Sequence, residues 1–326
     1  LARGELMKKL LASYGQDDSF RAVAEEIIGE EERKNNRVLA RTLRQTLETL
    51  GHSVKPKGLG TIIPFPDEVN DFVQRVEPRK SAQNILLSAE NTRIFTGLLR
   101  EYRKSEQIKM HGLPVRSKLL FCGPPGCGKT LCAEVFANEL GLPLFVVKLD
   151  RLMSSYLGET ATNIRKIFEF ARRQPCVLFL DEFDAIARTR EDIGEHSELR
   201  RVVNSLLLFI EQIQPSGFLL AATNLDRALD SAVWRRFDEV VWFDAPDERM
   251  TRKFLINAFK NVTTEFEPAS LLDEVTGYSY AELEKISIQA IKLSILGHSR
   301  SVSEHNFHDA VNDAKRRKKR ADRLAV

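Results

Sequence analysis

Lys118-Leu-Leu-Phe-Cys122 runs without a break into Gly123-Pro-Pro-Gly-Cys-Gly-Lys-Thr130. The first segment is short and apolar, as a buried strand requires, and residues 129–140 after the loop fit a helix. The loop itself satisfies G-x-x-x-x-G-K-T in the strand–loop–helix context that makes the pattern specific. A nucleoside triphosphate crowds several negative charges onto neighbouring oxygens. Glycines let the backbone wrap those oxygens with its N–H groups pointing inward, and the helix N-terminus adds positive potential. Gly123, Pro124, Pro125, Gly126, Cys127, Gly128, Lys129, Thr130 and Leu131 are therefore the candidate nucleotide-binding residues. Lys129 is placed to reach the β- and γ-phosphates of ATP, and the Thr130 hydroxyl to hold Mg²⁺. The same N–H groups are expected to favour a reactive thiolate at Cys127.

Outward from this loop the chain alternates apolar strands and helices. Further strands are expected at Leu144–Leu149, Cys176–Leu180, Phe218–Ala222 and Val240–Phe243, with helices at about 160–173 and 196–213. Continuous apolar strands alternating with helices imply a parallel sheet covered on both faces. Val177-Leu-Phe-Leu-Asp-Glu182 ends one such strand in adjacent carboxylates. Strand C-termini line the ligand crevice of a parallel sheet. Asp181 is thus a candidate Mg²⁺ ligand, and Glu182 a candidate general base for an attacking water.

Upstream, Phe20, Val23, Ala24, Ile27 and Ile28 share one face of a helix, and Leu39, Leu43, Leu47 and Leu50 continue the pattern. Glycines and prolines from Gly51 to Pro78 break any long helix and predict a linker with some extended structure; a helix then fits Glu90–Gln107. Past Pro246 the strand signal stops and helices are expected to about residue 320. No uncharged apolar run approaches the roughly 20 residues that span a bilayer, and no secretory-signal pattern opens the chain. The four cysteines fit neither a zinc pattern nor a disulfide framework, so a reduced cytoplasmic setting is expected. Net charge is +3, but residues 315–326 alone carry +6, which leaves −3 for the rest.

Together these residues resemble the AAA ATPase family over about residues 80–310. The resemblance extends through Phe218-Leu-Leu-Ala-Ala-Thr-Asn224, Leu229-Asp-Ser-Ala-Val-Trp-Arg-Arg-Phe-Asp238 and Asp244-Ala-Pro-Asp-Glu248, which are similar to the family's second region of homology. It implies a P-loop NTPase α/β fold with a helical lid domain behind a short N-terminal helical domain. The expected boundaries are 1–51 for the N-terminal helices, 52–80 for the linker, 81–245 for the large ATPase domain and 246–326 for the lid with its basic tail. By the resemblance Asn224 orients water and contacts the γ-phosphate. Arg235 and Arg236 match the position of an arginine finger supplied to a neighbouring subunit, and the family's usual assembly is a homo-hexameric ring. Many relatives carry a further Arg where this chain has Glu239. Gly277-Tyr-Ser-Tyr-Ala-Glu-Leu283 resembles the stretch that opens a lid helix near the adenine, with Tyr280 in place of Gly. Tyr156, Leu157 and Gly158 match a loop that projects into the ring's pore and grips substrate, and a second pore loop is expected near Arg190–His196.

The resemblance points to ATP hydrolysis that drives remodelling, unfolding or threading of a protein substrate. No H-E-x-x-H occurs, so a protease would be a separate partner chain. The alternative is a nucleic-acid remodeller or loader that uses Lys315-Arg-Arg-Lys-Lys-Arg320, a run expected to be solvated and partly frayed. No membrane partner is expected. His305 and His308, three apart on an expected helix, have no companion ligands in the sequence that suggest a metal site.

Overall fold

The computed structural model describes residue 69 and residues 71–154, 157–184, 197–224 and 231–324. The chain divides into two compact units, Leu1–Leu59 and Gly60–Val326, and every described residue belongs to the second. The expected N-terminal helices, Tyr156 and the loop at Arg190–His196 lie outside the described residues.

The sheet is built from β1 (Val73–Val76), β2 (Lys118–Cys122), β3 (Leu144–Lys148), β4 (Val177–Asp181), β5 (Phe218–Thr223) and β6 (Glu239–Trp242). Its order is β1-β3-β4-β5-β2-β6, with β1 antiparallel to β3 and every other pair parallel. The parallel α/β fold expected from the strand–helix alternation is thus present. β1 falls inside the stretch read as a linker. Its short Val-Gln-Arg-Val sequence buries Val73 but exposes Gln74 and Arg75, as an edge strand can.

Alternation along each strand sorts side chains onto two faces. Leu119, Phe121, Val177, Phe179, Phe218 and Leu220 pack with Phe95 and Leu98 of α1 (Ala89–Arg103) and with Ala133, Phe136 and Leu140 of α3 (Lys129–Leu140). Leu120, Cys122, Leu178, Leu180, Leu219 and Ala221 face the other way. They meet Ile164, Ile167 and Phe168 of α5 (Leu157–Arg173) and Val203, Leu206 and Ile210 of α6 (Ser197–Gln212). Both faces are covered by helices, which is why the central positions of β2, β4 and β5 are apolar. The helix expected over Glu90–Gln107 breaks at Lys104 into α1 and α2 (Ser105–Met110). Among the described residues this part also holds the short helices α4 (Leu149–Ser154) and α7 (Ser231–Trp234).

Gly217 has a constraint that its sequence neighbours do not announce. A Cβ there would lie 2.0 Å from the Cys176 carbonyl oxygen, which already accepts the Phe218 N–H at 2.9 Å. Gly217→Ala is expected to destabilise the fold by ~2–3 kcal/mol, because two backbones must part at the start of β5. Chemical denaturation measures it; unchanged stability would show that the strands yield freely.

Beyond β6 the chain is helical: α8 (Glu248–Phe259), a 3-10 segment (Pro268–Val275), α9 (Tyr280–Leu296) and α10 (Glu304–Leu324). Leu255, Phe259, Leu272, Leu283, Ile286 and Phe307 form a separate core for this helical part. α10 continues through the basic run, so residues 315–320 are exposed along a helix rather than beyond its end. Arg316 pairs with Asp313, and Lys318 lies 5.5 Å over the Tyr278 ring and 3.9 Å from Glu282.

Candidate active site

The loop after β2 owes its shape to glycine. Gly123 has φ 143°, and a Cβ there would fall 2.1 Å from the Phe243 carbonyl oxygen. Gly128 caps α3 in the left-handed region at φ 94°, which glycine enters without a steric penalty. The Lys129 side chain is folded into this loop, with only 7% of the residue exposed. Its Nζ donates to Gly123 O at 2.7 Å, Pro124 O at 2.9 Å and Asn224 Oδ1 at 2.8 Å. Burial pulls the ammonium pKa down, opposed by Cys127, Asp181, Cys122 and Asp184 nearby. The Lys129–Asn224 bond joins the loop to the end of β5, so both residues face one crevice.

The acidic strand end faces the same crevice. Asp181 Oδ1 accepts the Glu182 N–H at 3.0 Å, and its carboxylate also accepts the Thr130 hydroxyl. Burial raises the Asp181 pKa, while these hydrogen bonds and the Lys129 charge oppose the rise. Glu182 turns the chain with φ 54°, a left-handed conformation that a non-glycine residue adopts at a cost. Its side chain is exposed, while the next residue, Phe183, is buried and donates its N–H to Ala222 O at 2.8 Å. The backbone is thus held from both sides while the carboxylate points outward.

The helical part closes on the loop. Ala281 N donates to Gly126 O at 3.1 Å, and a Cβ on Gly126, which has φ 77°, would meet Ser279 Oγ at 2.9 Å. Ser279 and Glu282 cap α9 reciprocally. Ser279 and Ala281 were not among the candidate site residues. The sequence signal for both is the match at 277–283, which also holds Tyr280. The Tyr280 ring packs against Phe254 at 5.9 Å, and burial with Asp247 nearby pushes its phenol pKa up to about 12.

Arg235 and Arg236 lie on the turn between α7 and β6. The register sets Glu239 opposite Leu119, at the start of β2, whereas the phosphate loop leaves the end of β2. The pair therefore enters β6 at the far end from the chain's own loop. Arg235 is exposed, and Arg236 Nη2 pairs with Glu211 Oε2 of α6 at 3.2 Å. Glu239 accepts from Arg116 Nη1 at 2.6 Å, and Arg116 Nε reaches Glu101 Oε2 at 2.8 Å. No sequence motif marks Arg116. Leu157 and Gly158 form the first turn of α5.

The expected thiolate at Cys127 is not supported. The residue is only 4% exposed, and burial pushes its pKa up despite Lys129. A raised pKa lowers the thiolate fraction at neutral pH, so alkylation by a maleimide is expected to be slow near pH 7 and to accelerate as pH rises past the usual thiol value. Mass mapping of modified cysteines against pH checks this; rapid labelling of Cys127 at pH 7 would contradict it. Cys176 is likewise pushed up to about 12 by burial.

Residues 119–245 match the family described as ATPase family associated with various cellular activities (AAA). The chain is 64% identical over 327 residues to the uncharacterized AAA family ATPase y4kL of Sinorhizobium fredii, covering all of this chain and 99% of that one. It is 31% identical to Protein mac-1 of Caenorhabditis elegans, over 79% of this chain and 32% of mac-1. It is also 33% identical to the ATP-dependent zinc metalloprotease FtsH 4 of Synechocystis, over 61% of this chain and 34% of that protein. The chain thus spans about a third of the length of the latter two, but nearly the whole of the first. Family match and full-length relative agree with the crevice: the chain belongs to the AAA ATPase family, whose shared activity is ATP hydrolysis.

Proposed function

We propose that this chain is an Mg²⁺-dependent ATPase that works as a hexameric ring and remodels, unfolds or threads protein substrates. The observation that carries the nucleotide reading is the convergence of Lys129, Asn224, Thr130 and Asp181 on one loop, joined by hydrogen bonds. The residues suit the ligand. Lys129 supplies a buried cation, and the loop glycines leave room for phosphate oxygens against the backbone. Thr130 and Asp181 offer a hydroxyl and a carboxylate, the hard oxygen donors that Mg²⁺ shares with phosphates. Bound ATP would supply the phosphoryl group that water attacks. Glu182 orients that water and takes its proton, and Asn224 holds it in line. Arg235 and Arg236 act on the neighbouring subunit's site, in keeping with their place at the far end of β6 from their own loop.

Tyr156, Leu157 and Gly158 are assigned to substrate gripping by resemblance. A polypeptide substrate is favoured by the kinds of protein among the relatives, which include a metalloprotease and the peroxisomal ATPase PEX6 of Saccharomyces cerevisiae at 33% identity over 22% of its length. A nucleic-acid partner is the second reading, favoured by the exposed cations at 315–320. Among the described residues no helix is long and apolar enough to cross a membrane.

Glu182→Gln is expected to keep ATP affinity and lose turnover by ~10²–10⁴-fold, the range for removal of a general base. Held in the ATP state, it should retain a polypeptide through purification. Wild-type turnover would overturn the role given to Glu182. A trapped nucleic acid without polypeptide would promote the second reading.

A further inference from the structure

Two aromatic contacts bracket the turn that carries Arg235 and Arg236. Before the pair, Trp234 stacks on Trp242, with ring centroids 5.5 Å apart and planes 25° apart. After it, Phe237 meets Phe183 edge-on at 5.9 Å. The turn itself is tight: Arg236 N donates to Val233 O at 3.1 Å and Phe237 N to Trp234 O at 3.2 Å. The two ring contacts and the two arginines thus share one tight turn.

Each outer partner of the bracket adjoins the chain's own nucleotide site. Trp242 precedes Phe243, whose N–H donates to Cys122 O at 2.7 Å and whose carbonyl lies against Gly123 of the phosphate loop. The Trp242 carbonyl is fixed by Asn91 Nδ2 at 2.7 Å. Phe183 directly follows Glu182. Trp242 is 44% exposed, so core packing alone does not account for it. Aromatic stacking is directional as well as apolar, which suits a positioning role.

We propose that Trp242 is a positioning residue for Arg235 and Arg236. Its stack on Trp234 sets where the arginine turn stands relative to the chain's own phosphate loop, so the arginines offered to a neighbour follow the state of that loop. This rests on the trans-acting reading of the pair.

The test compares Trp242→Ala, Trp242→Phe and Arg236→Ala, each alone and mixed with Lys129→Ala. For Trp242→Ala, ATP affinity should stay within ~3-fold while turnover falls ~10–100-fold, the scale expected for a misplaced catalytic group. Trp242→Phe, which keeps a ring in the stack, should recover most of the turnover. Mixing Trp242→Ala with Lys129→Ala should restore activity, because the intact loop of one then meets the well-placed arginines of the other. Damage to the variant's own loop would not be relieved by mixing. The chain has two tryptophans, both in the stack, so wild-type emission should change when ATP binds and stay constant in Lys129→Ala. Wild-type turnover in Trp242→Ala, a loss that mixing does not relieve, or emission indifferent to ATP in the wild type would each overturn the inference. Wild-type turnover in Arg236→Ala would instead remove the trans-acting reading on which it rests.

Discussion

Lys129→Ala is expected to lose ATP binding. The lysine is buried in the phosphate loop, with its ammonium hydrogen-bonded to Gly123 O, Pro124 O and Asn224 Oδ1. Nothing else in the loop carries a positive charge, and backbone N–H groups alone do not neutralise a triphosphate. Alanine removes the cation and also frees the Asn224 side chain from its partner. Burial already lowers the pKa of this lysine. The affinity loss should exceed ~100-fold, about 2.7 kcal/mol. Calorimetric titration with ATP measures it, with far-ultraviolet circular dichroism to check the fold. Unchanged affinity in a folded variant would remove the phosphate-loop assignment.

Arg236→Ala is expected to keep ATP affinity within a few-fold and lose turnover by ~10³-fold or more, the range for an arginine finger. The ion pair with Glu211 supplies a control. If Arg236 served only to hold α6, Glu211→Gln would reproduce the loss; if it acts on a neighbour, Glu211→Gln should have a much smaller effect. Mixing Arg236→Ala with Lys129→Ala should restore part of the activity, since some interfaces then pair an intact loop with an intact arginine. Wild-type turnover in Arg236→Ala, or equal loss in Glu211→Gln, would count against a trans-acting arginine.

What the sequence made legible follows physical lines. The strands β2, β4 and β5 are buried on both faces, so unbroken apolar runs marked them. β1 escaped because a four-residue edge strand with Gln74 and Arg75 shows no period. The phosphate loop and the acidic strand end could be read because their chemistry requires particular residues at fixed spacing. The contacts of Ser279 and Ala281 with Gly126, and of Arg116 with Glu239, join segments more than a hundred residues apart. No local pattern encodes them. Cys127 failed in a different way: loop N–H groups favour a thiolate, but burial opposes one, and burial is visible only once Cys127 is packed.

We propose that ATP turnover at this crevice is coupled to a polypeptide. The most direct measurement is steady-state phosphate release by the purified chain, alone, with an unfolded polypeptide, and with duplex DNA over a range of salt. Turnover is expected to depend on Lys129 and Glu182, to rise with polypeptide, and to respond little to DNA. Any DNA binding through residues 315–320 should fade as salt increases. Salt-resistant stimulation by DNA with none by polypeptide would exclude a polypeptide-coupled motor and favour the nucleic-acid reading.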